Sequence, residues 1–308
     1  MKGLVHTVLW IITSLATAIT ISVANIFDSH ILSKKLTNLS PYFLTMAVFQ
    51  ILTALVALAI FPFPAAPRFY DILAGFGGGM ANAVALVILL NALQKGEVSR
   101  VIPVTSSFPI FVALLSMPLL GEMISLTGWL AVLLTVAGAV LISLQFGGGG
   151  QKTKLHKSFL LLLFTALLFS ISNIAYKYAM NTISIWNTFT INGICIGAVA
   201  LIFSVRKKNL RDLKNMEQRN QKIGLIIGSQ SIAALGIMLS FIAIHSGPVA
   251  LVSTIMNIRP AFILIFSLII SRFYPGFITE QMTKKTILIK ILGIAMITVG
   301  VALIGLYG

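Results

Sequence analysis

An eighteen-residue pattern occurs twice in this sequence. Ala92–Pro109 (ALQKGEVSRVIPVTSSFP) recurs 151 positions later as Ala243–Pro260 (AIHSGPVALVSTIMNIRP), so that Gly96 is matched by Gly247 and both copies end in proline. Five long apolar runs surround each copy. When a unit with an odd number of membrane crossings is repeated in one chain, its second copy must lie upside down relative to its first. Such inverted pairs, built around a site near the bilayer midplane, are typical of secondary transporters.

The composition excludes an ordinary soluble domain. Apolar residues make up 58% of the chain and charged residues only 9%, and the mean hydropathy is +1.01, whereas soluble domains carry about 25% charged residues. A helix of about 20 residues crosses a hydrocarbon core of about 30 Å. With a window of that length the sequence predicts ten spans, at 4–26, 41–61, 72–93, 99–120, 126–146, 158–180, 185–205, 223–245, 249–270 and 286–307.

The pattern of these runs favours an all-α polytopic membrane protein, with ten transmembrane helices arranged as two inverted five-helix repeats. The apolar runs are broken by Gly and Pro and lack the ten-residue alternation of an outer-membrane barrel. The first run is too long for a signal-peptide core and no small-residue cleavage pattern follows it, so we interpret it as a retained helix. We expect a first repeat over residues 1–146, a Gly-rich basic linker over 147–157 and a second repeat over 158–308.

The distribution of charge predicts the topology. The net charge is +15, and nearly all Lys and Arg lie in the loops after spans 1, 3, 5, 7 and 9, with little beyond Lys2 and Arg68 on the opposite side. The positive-inside rule then places the odd-numbered loops in the cytoplasm of a cell (inner) membrane and both termini outside. The positive charge is read as a topology signal and an attraction to anionic lipid, with no nucleic-acid partner. Cys195 is the single cysteine, so no intrachain disulfide can form.

Several motifs recur outside the best-matched stretch. Asn25 in span 1 corresponds to Asn173 in span 6, and Gly138 in span 5 corresponds to Gly300 in span 10. With the pair Gly121-Glu122 just after span 4, this pattern resembles the drug/metabolite transporter superfamily, and within it the ten-helix EamA-type transporters. The second copy departs from the pattern, since it has Arg272-Phe273 where the first has Gly121-Glu122.

The resemblance implies a basket of ten helices in which spans 1–4 and 6–9 enclose a central cavity, while spans 5 and 10 pack at the periphery. Members of that superfamily move amino acids and their derivatives, sugar nucleotides, vitamins and other small metabolites. A small-molecule substrate and the lipid bilayer are therefore the expected partners, for a monomer or a homodimer.

Arg259 is the strongest candidate for substrate binding. It lies near the middle of predicted span 9, where a charged side chain costs at least about 2.5–3.5 kcal/mol. Every acid in the chain lies at a predicted span end or in a loop. We therefore expect the Arg259 guanidinium to face a cavity and bind a substrate carboxylate or phosphate; the alternative is an arginine that hydrogen-bonds helix-end carbonyls or snorkels.

Prolines accompany this position in both repeats. Pro260 removes a backbone donor and disfavours helix at Arg259, and Pro109 does the same at the matching point of span 4. Pro103 lies six residues before Pro109, and Ser106, between them, is a further candidate for substrate binding. The prolines predict two broken helices that face each other. A gating role and a plain packing role are both open.

Four polar side chains in the predicted spans complete the candidate site. Asn25 and Asn173 continue stripes of small and polar residues, Asn82 lies on the glycine-rich face of span 3, and Gln230 is in span 8. Each either contacts substrate or hydrogen-bonds between helices. Lys177, near the outer end of span 6, is expected to snorkel.

The leading hypothesis is a secondary transporter of a small metabolite that works by alternating access, with export slightly favoured. An amino acid or another solute bearing a carboxylate or phosphate is the expected cargo. The sequence contains no motif for catalysis, metal binding or a cofactor, so we do not expect an enzyme. The alternatives are a non-transporting membrane receptor or scaffold, and a membrane enzyme that acts on a lipid-linked substrate.

Overall fold

The computed structural model describes residues 2–32, 36, 39–64, 66–94, 104–143, 155–204, 218–273 and 284–307. These residues form helices and the turns between them. The eleven described helices are α1 (Lys2–His30), α2 (Ser40–Ile60), α3 (Phe69–Gln94), α4 (Phe108–Leu120), α5 (Leu126–Ser143), α6 (Leu155–Ala179), α7 (Ile185–Ser204), α8 (Arg219–Ser246), α9 (Val249–Met256), α10 (Arg259–Phe273) and α11 (Lys284–Tyr307).

The all-helical membrane architecture predicted from the sequence is confirmed. Nine spans long and apolar enough to cross a membrane occur among the described residues, α9 and α10 together forming one of them. The shorter apolar helix α4 lies within the predicted fourth span. Residues 99–103 of the predicted fourth span lie outside the described residues, and α4 begins at Phe108 after a turn. At the C-terminal ends of the helices the largest difference is in α1, which continues to His30 instead of ending at residue 26. Asp28 ended the apolar window, but it does not end the helix.

Helices of the two repeats interleave. The most extensive contacts pair α5 with α11, α2 with α7, α3 with α6, and α1 with α8, and each of these pairs joins the first repeat to the second. In the first two pairs a helix packs against its own repeat counterpart, so these pairs lie on the axis that relates the repeats. Each wall of the bundle therefore contains helices from both halves of the chain.

Glycines allow several of these pairs to approach closely. A Cβ atom built on Gly78 of α3 would lie 2.9 Å from the Ala175 side chain of α6. A Cβ on Gly138 of α5 would lie 2.5 Å from the carbonyl oxygen of Gly293 in α11. The glycine stripe of span 3 therefore serves close packing, as its spacing predicts.

Two faces of the bundle are distinguished by their turns. We call the side with the turns at 61–64, 66–68, 121–125, 180–184 and 247–248 the terminal face, because Lys2 and Tyr307, the first and last described residues, lie on it. The opposite side is the linker face. Between the two faces large apolar side chains point outward, as in α2, where Leu52, Val56 and Ile60 are 57%, 58% and 63% exposed. Such a surface suits contact with lipid.

Candidate functional site

The helices of spans 4 and 9 are interrupted at repeat-related positions. A turn at 106–107 precedes α4, and a turn at 257–258 separates α9 from α10. Pro109 and Pro260 are the second residues of the helices that follow. Because proline has no amide proton, the carbonyl four residues earlier loses its helical partner and the helix ends. We call residues 106–109 and 257–260 the double break; Pro103 lies outside the described residues, and the gating role of the prolines stays a prediction.

The two halves of the double break touch each other. The Asn257 side-chain amide donates to the Ser106 carbonyl oxygen at 2.7 Å. These residues are 151 positions apart, the offset of the repeat. A contact between equivalent positions lies on the axis that relates the repeats, so the predicted meeting of two broken helices occurs at the centre of the pseudo-symmetry.

Two serines hold the double break from either side. The Ser22 hydroxyl of α1 donates to the Arg259 carbonyl oxygen at 3.2 Å. The Ser170 hydroxyl of α6 donates to the Phe108 carbonyl oxygen at 2.9 Å. Since α6 is the repeat counterpart of α1, the two contacts form an equivalent pair. The polar stripes of spans 1 and 6 therefore face the double break.

Arg259 both hydrogen-bonds a carbonyl at a helix end and keeps part of its side chain exposed. Its Nε atom donates to the Met256 carbonyl oxygen at 3.2 Å, and this is the carbonyl that Pro260 leaves without a helical partner. Its Cζ atom lies 5.9 Å from the centre of the Phe108 ring. The side chain is partly exposed, and its two terminal nitrogens make no hydrogen bond to a described residue. A pair of guanidinium nitrogens of this kind has the geometry to donate two hydrogen bonds to a carboxylate.

Asn25 and Asn173 lie about one helical turn beyond the two serines. Asn25 is exposed on α1. The Asn173 amide nitrogen donates to the Ser253 hydroxyl at 3.3 Å, which leaves its carbonyl oxygen available as an acceptor. Three residues along a helix return a side chain to nearly the same face. Both asparagines therefore flank the double break.

Asn82 and Gln230 have protein partners of their own. The Asn82 amide nitrogen donates to the Asn192 side-chain oxygen at 2.9 Å. Gln230 donates to the Tyr42 hydroxyl at 2.9 Å and accepts from Gln50 at 3.3 Å. These contacts agree with interhelical hydrogen bonding, the alternative left open by the sequence, and a role in substrate binding stays a prediction for both residues.

A pair of charged residues holds the turn between α8 and α9 on the terminal face. The Lys177 ammonium of α6 donates to three carbonyl oxygens at the end of α8, at 2.7 Å to Ile244, 3.0 Å to His245 and 2.9 Å to Gly247. The Glu122 carboxylate, which follows α4, accepts from two amides at the start of α9, at 2.8 Å from Val249 and 3.5 Å from Ala250. A cation at a helix C-terminus and an anion at a helix N-terminus both offset the helix dipole. We call Lys177, Glu122 and the turn 244–250 the terminal clamp.

The terminal clamp is a feature that sequence reasoning missed. Lys177 was expected to snorkel, but its ammonium caps α8 instead. One signal was visible in the repeat: Glu122 has Phe273 as its counterpart 151 positions later, and Lys177 has Ser29 as its counterpart 148 positions earlier. The charges of the clamp therefore occur in only one copy each.

The rest of the described residues contain no candidate metal site, but they do form a cleft. No group of His, Cys, Asp and Glu side chains in them could hold a metal ion. An open cleft of about 500 Å³ on the terminal face is framed by Phe61 and Trp186, whose rings stack 4.2 Å apart. None of the predicted site residues lines this cleft, and stacked aromatic rings at a helix end are common where a protein meets the membrane interface.

Comparison with known proteins identifies the family. The sequence profile of the EamA-like transporter family matches residues 8–144 and, a second time, residues 156–306. No curated protein matches the chain. A solved crystal structure of a protein covers 96% of this chain and 95% of its own, with 16% sequence identity and a TM-score of 0.65, and it shows the fold alone. The family consists of multi-pass membrane transporters of small solutes, and because its profile matches nearly the whole of both halves, the chain belongs to the EamA-like transporter family.

Proposed function

We propose that this transporter carries an amino acid, or a similar small solute with one carboxylate, by alternating access to the double break. The observation that carries the proposal is the Arg259 guanidinium, which keeps two donor nitrogens without a described partner inside a span. A charge in that position costs at least about 2.5–3.5 kcal/mol. An anionic solute offsets that cost when it binds.

The surroundings of Arg259 favour a monoanion. Arg259 is the one cation in the described part of the double break. A phosphate monoester carries a charge of about −1.5 to −2 at pH 7, so part of it would stay uncompensated. Asn25 and Asn173 offer amide oxygens on the two helices that flank the break, and such oxygens accept hydrogen bonds from an ammonium group. In an amino acid the carboxylate can pair with Arg259 while the neighbouring ammonium group donates to the two asparagine oxygens.

Alternating access requires the two faces to open in turn. We infer that the terminal clamp shuts the terminal face in this conformation, since Lys177 and Glu122 come from one wall of the bundle and the turn they hold belongs to α8 and α9. The charge distribution supports a terminal face that points outward from the cytoplasm. Release of the clamp is then the step that lets a solute leave, and export is the direction we favour.

The test is transport by the purified protein in liposomes. A panel of radiolabelled amino acids, other carboxylates and phosphate esters is offered to the wild type and to Arg259→Gln. Glutamine keeps a donor for the Met256 carbonyl but removes the charge. We expect transport of carboxylates to fall by about 10- to about 150-fold, the equivalent of the 1.5–3 kcal/mol of a hydrogen bond to a charged group.

Arg219→Gln is the matched control, because Arg219 is exposed at the start of α8 on the linker face. It removes the same charge and should leave transport unchanged. Full carboxylate transport by Arg259→Gln would contradict the proposal. Specific binding of a carboxylate without any transport by the wild type would instead favour a receptor.

A further inference from the structure

A buried polar network joins three helices near the linker face. Ser229 of α8 donates its hydroxyl to the Asp28 carboxylate of α1. Gln230, the next residue of α8, donates to the Tyr42 hydroxyl of α2 at 2.9 Å and accepts from Gln50 at 3.3 Å. Tyr42, Gln50 and Gln230 are 1%, 2% and 4% exposed. The network thus connects both repeats inside the bundle.

The Asp28 carboxylate accepts a hydrogen bond from a neutral donor. The Ser229 hydroxyl is that donor, and it also lies 3.3 Å from the Ala24 carbonyl oxygen. Because the Tyr42 oxygen accepts from Gln230, the proton of Tyr42 is not used in that contact. Among the described residues the hydrogen-bond partner of the Asp28 carboxylate is therefore a neutral hydroxyl.

The other repeat contains an equivalent network without an acid. Tyr176 lies 148 positions after Asp28, the same offset that relates Asn25 to Asn173. Its hydroxyl donates to the Asn192 side-chain oxygen at 2.6 Å, and Asn192 also accepts from Asn82 at 2.9 Å. These residues lie on α6, α7 and α3, the counterparts of α1, α2 and α8. A neutral phenol thus meets the packing needs of this position, so packing does not explain a carboxylate at Asp28.

Among the described residues no charged group pairs with Asp28. The titratable side chain of the network on α2 is Tyr42, and on α8 Lys222 lies two turns before Ser229. On α10 Arg259 contacts Met256 and Phe108, and Arg272 lies in the last turn of that helix. His30 on α1 itself has interactions of its own. An intramembrane carboxylate without a cation is costly to keep charged, and groups of this kind mark proton relays in transporters.

We propose that Asp28 binds a proton from the linker face and couples proton movement to the solute transport proposed above, on which this inference rests. The proton adds to a carboxylate oxygen, and no other bond forms or breaks. The charged form accepts from Ser229, whereas the neutral acid donates. The link between α1 and α8 therefore reverses its hydrogen-bond direction with protonation. Sodium fits less well, because a hard cation needs a shell of several oxygens, and a hydroxyl donor already occupies this carboxylate.

The first test separates coupling from transport in liposomes that contain the full-length protein. The probe is the panel of radiolabelled amino acids, followed both as exchange without a gradient and as accumulation driven by a pH gradient. For Asp28→Asn we expect exchange at the wild-type level and accumulation reduced to the level without a gradient. Asp28→Glu should restore accumulation, and Tyr176→Phe should keep it. The proposal is wrong if Asp28→Asn still accumulates solute, if it loses exchange while folded, or if only a sodium gradient drives the wild type.

The second test does not depend on a known substrate. Infrared difference spectra of the purified protein record the carboxylic-acid C=O band as the pH is lowered. The band should lose one component in Asp28→Asn. Asp71→Asn is the matched control, because Asp71 is also a carboxylate within a span and accepts from Thr182 at 2.5 Å; it should leave that component intact. If Asp28→Asn leaves the C=O band unchanged, Asp28 does not bind the proton. If Asp28→Asn removes the component but the wild type transports none of the solutes, the proposed transport function is wrong while proton binding at Asp28 stands.

Discussion

Replacement of Lys177 by methionine should release the terminal clamp. The ammonium makes three hydrogen bonds, of 2.7, 3.0 and 2.9 Å, to the end of α8. A hydrogen bond to a charged group contributes about 1.5–3 kcal/mol. Because Lys177 is only partly buried, water competes for the same groups, and we discount the three together to about 2 kcal/mol. That loss corresponds to an increase of about 30-fold in the ratio of open to closed terminal faces.

Cysteine labelling can measure this ratio. Cys195 is the single native cysteine and is buried, so it is first replaced by serine. Ser253 is fully buried in α9, one turn inside the clamp, and Ser253→Cys provides a reporter of nearly the same size. A membrane-impermeant maleimide added from the terminal side should label the reporter about 30-fold faster after Lys177→Met, when closing is fast relative to labelling.

The control and the refutation use the same reporter. Arg68→Met removes a cation from the same face, and its exposed side chain has no part in the clamp, so the labelling rate should not change. Glu122→Ala should raise the rate, because two amides at the start of α9 lose their acceptor. If Lys177→Met folds normally and labels at the parent rate, the clamp does not hold the terminal face closed.

Two further predictions concern glycine contacts. Gly300→Ala would place a Cβ atom 2.3 Å from the Thr135 hydroxyl of α5. Overpacking of this kind costs about 1–3 kcal/mol, so the temperature of thermal unfolding should fall. Gly224→Ala is the control, because nothing lies within 4 Å of its Cβ atom, and it should not lower the unfolding temperature. Gly247→Ala would place a Cβ atom 2.6 Å from the Trp10 ring and should speed labelling of the reporter by displacing the clamped turn. Adding Trp10→Ala removes that clash and should slow labelling again.

Most of the fold was predictable because few backbone structures are stable in lipid. A backbone in hydrocarbon has to satisfy its own hydrogen bonds, so long apolar runs become helices. Apart from the start of α4, the described helix ends differ by four residues or fewer from the predicted spans, and the break at 257–258 was predicted by Pro260. The interleaving of the repeats was not predictable, because close packing of α5 with α11 depends on which glycine faces which helix.

The candidate site was predictable at residues whose type is unfavourable in a membrane-spanning helix. Arg259 was visible because it is a charge in a span, and Pro109 and Pro260 because they interrupt helices. Asp28 was assigned to a span end, since an apolar window stops at an acid whether or not the helix does. The contacts of Lys177 and Glu122 were missed for a different reason. Their partners are backbone groups of a distant turn, and every residue has such groups, so the sequence does not indicate which ones are bound.

The differences between the repeats determine the balance between the two faces. If the two repeats had identical sequences, exchanging their conformations would convert the state closed at the terminal face into the state closed at the linker face. The two states would then have equal free energy. Any preference must come from positions where the copies differ, such as Lys177 against Ser29. About 2 kcal/mol at that position already favours the closed terminal face by about 30-fold. Asp28, with Tyr176 as its counterpart, adds a difference that depends on pH. Acidification should therefore change the ratio of the reporter labelling rates measured with Asp28 and with Asp28→Asn at the same pH, a ratio in which the pH dependence of the reporter thiolate cancels.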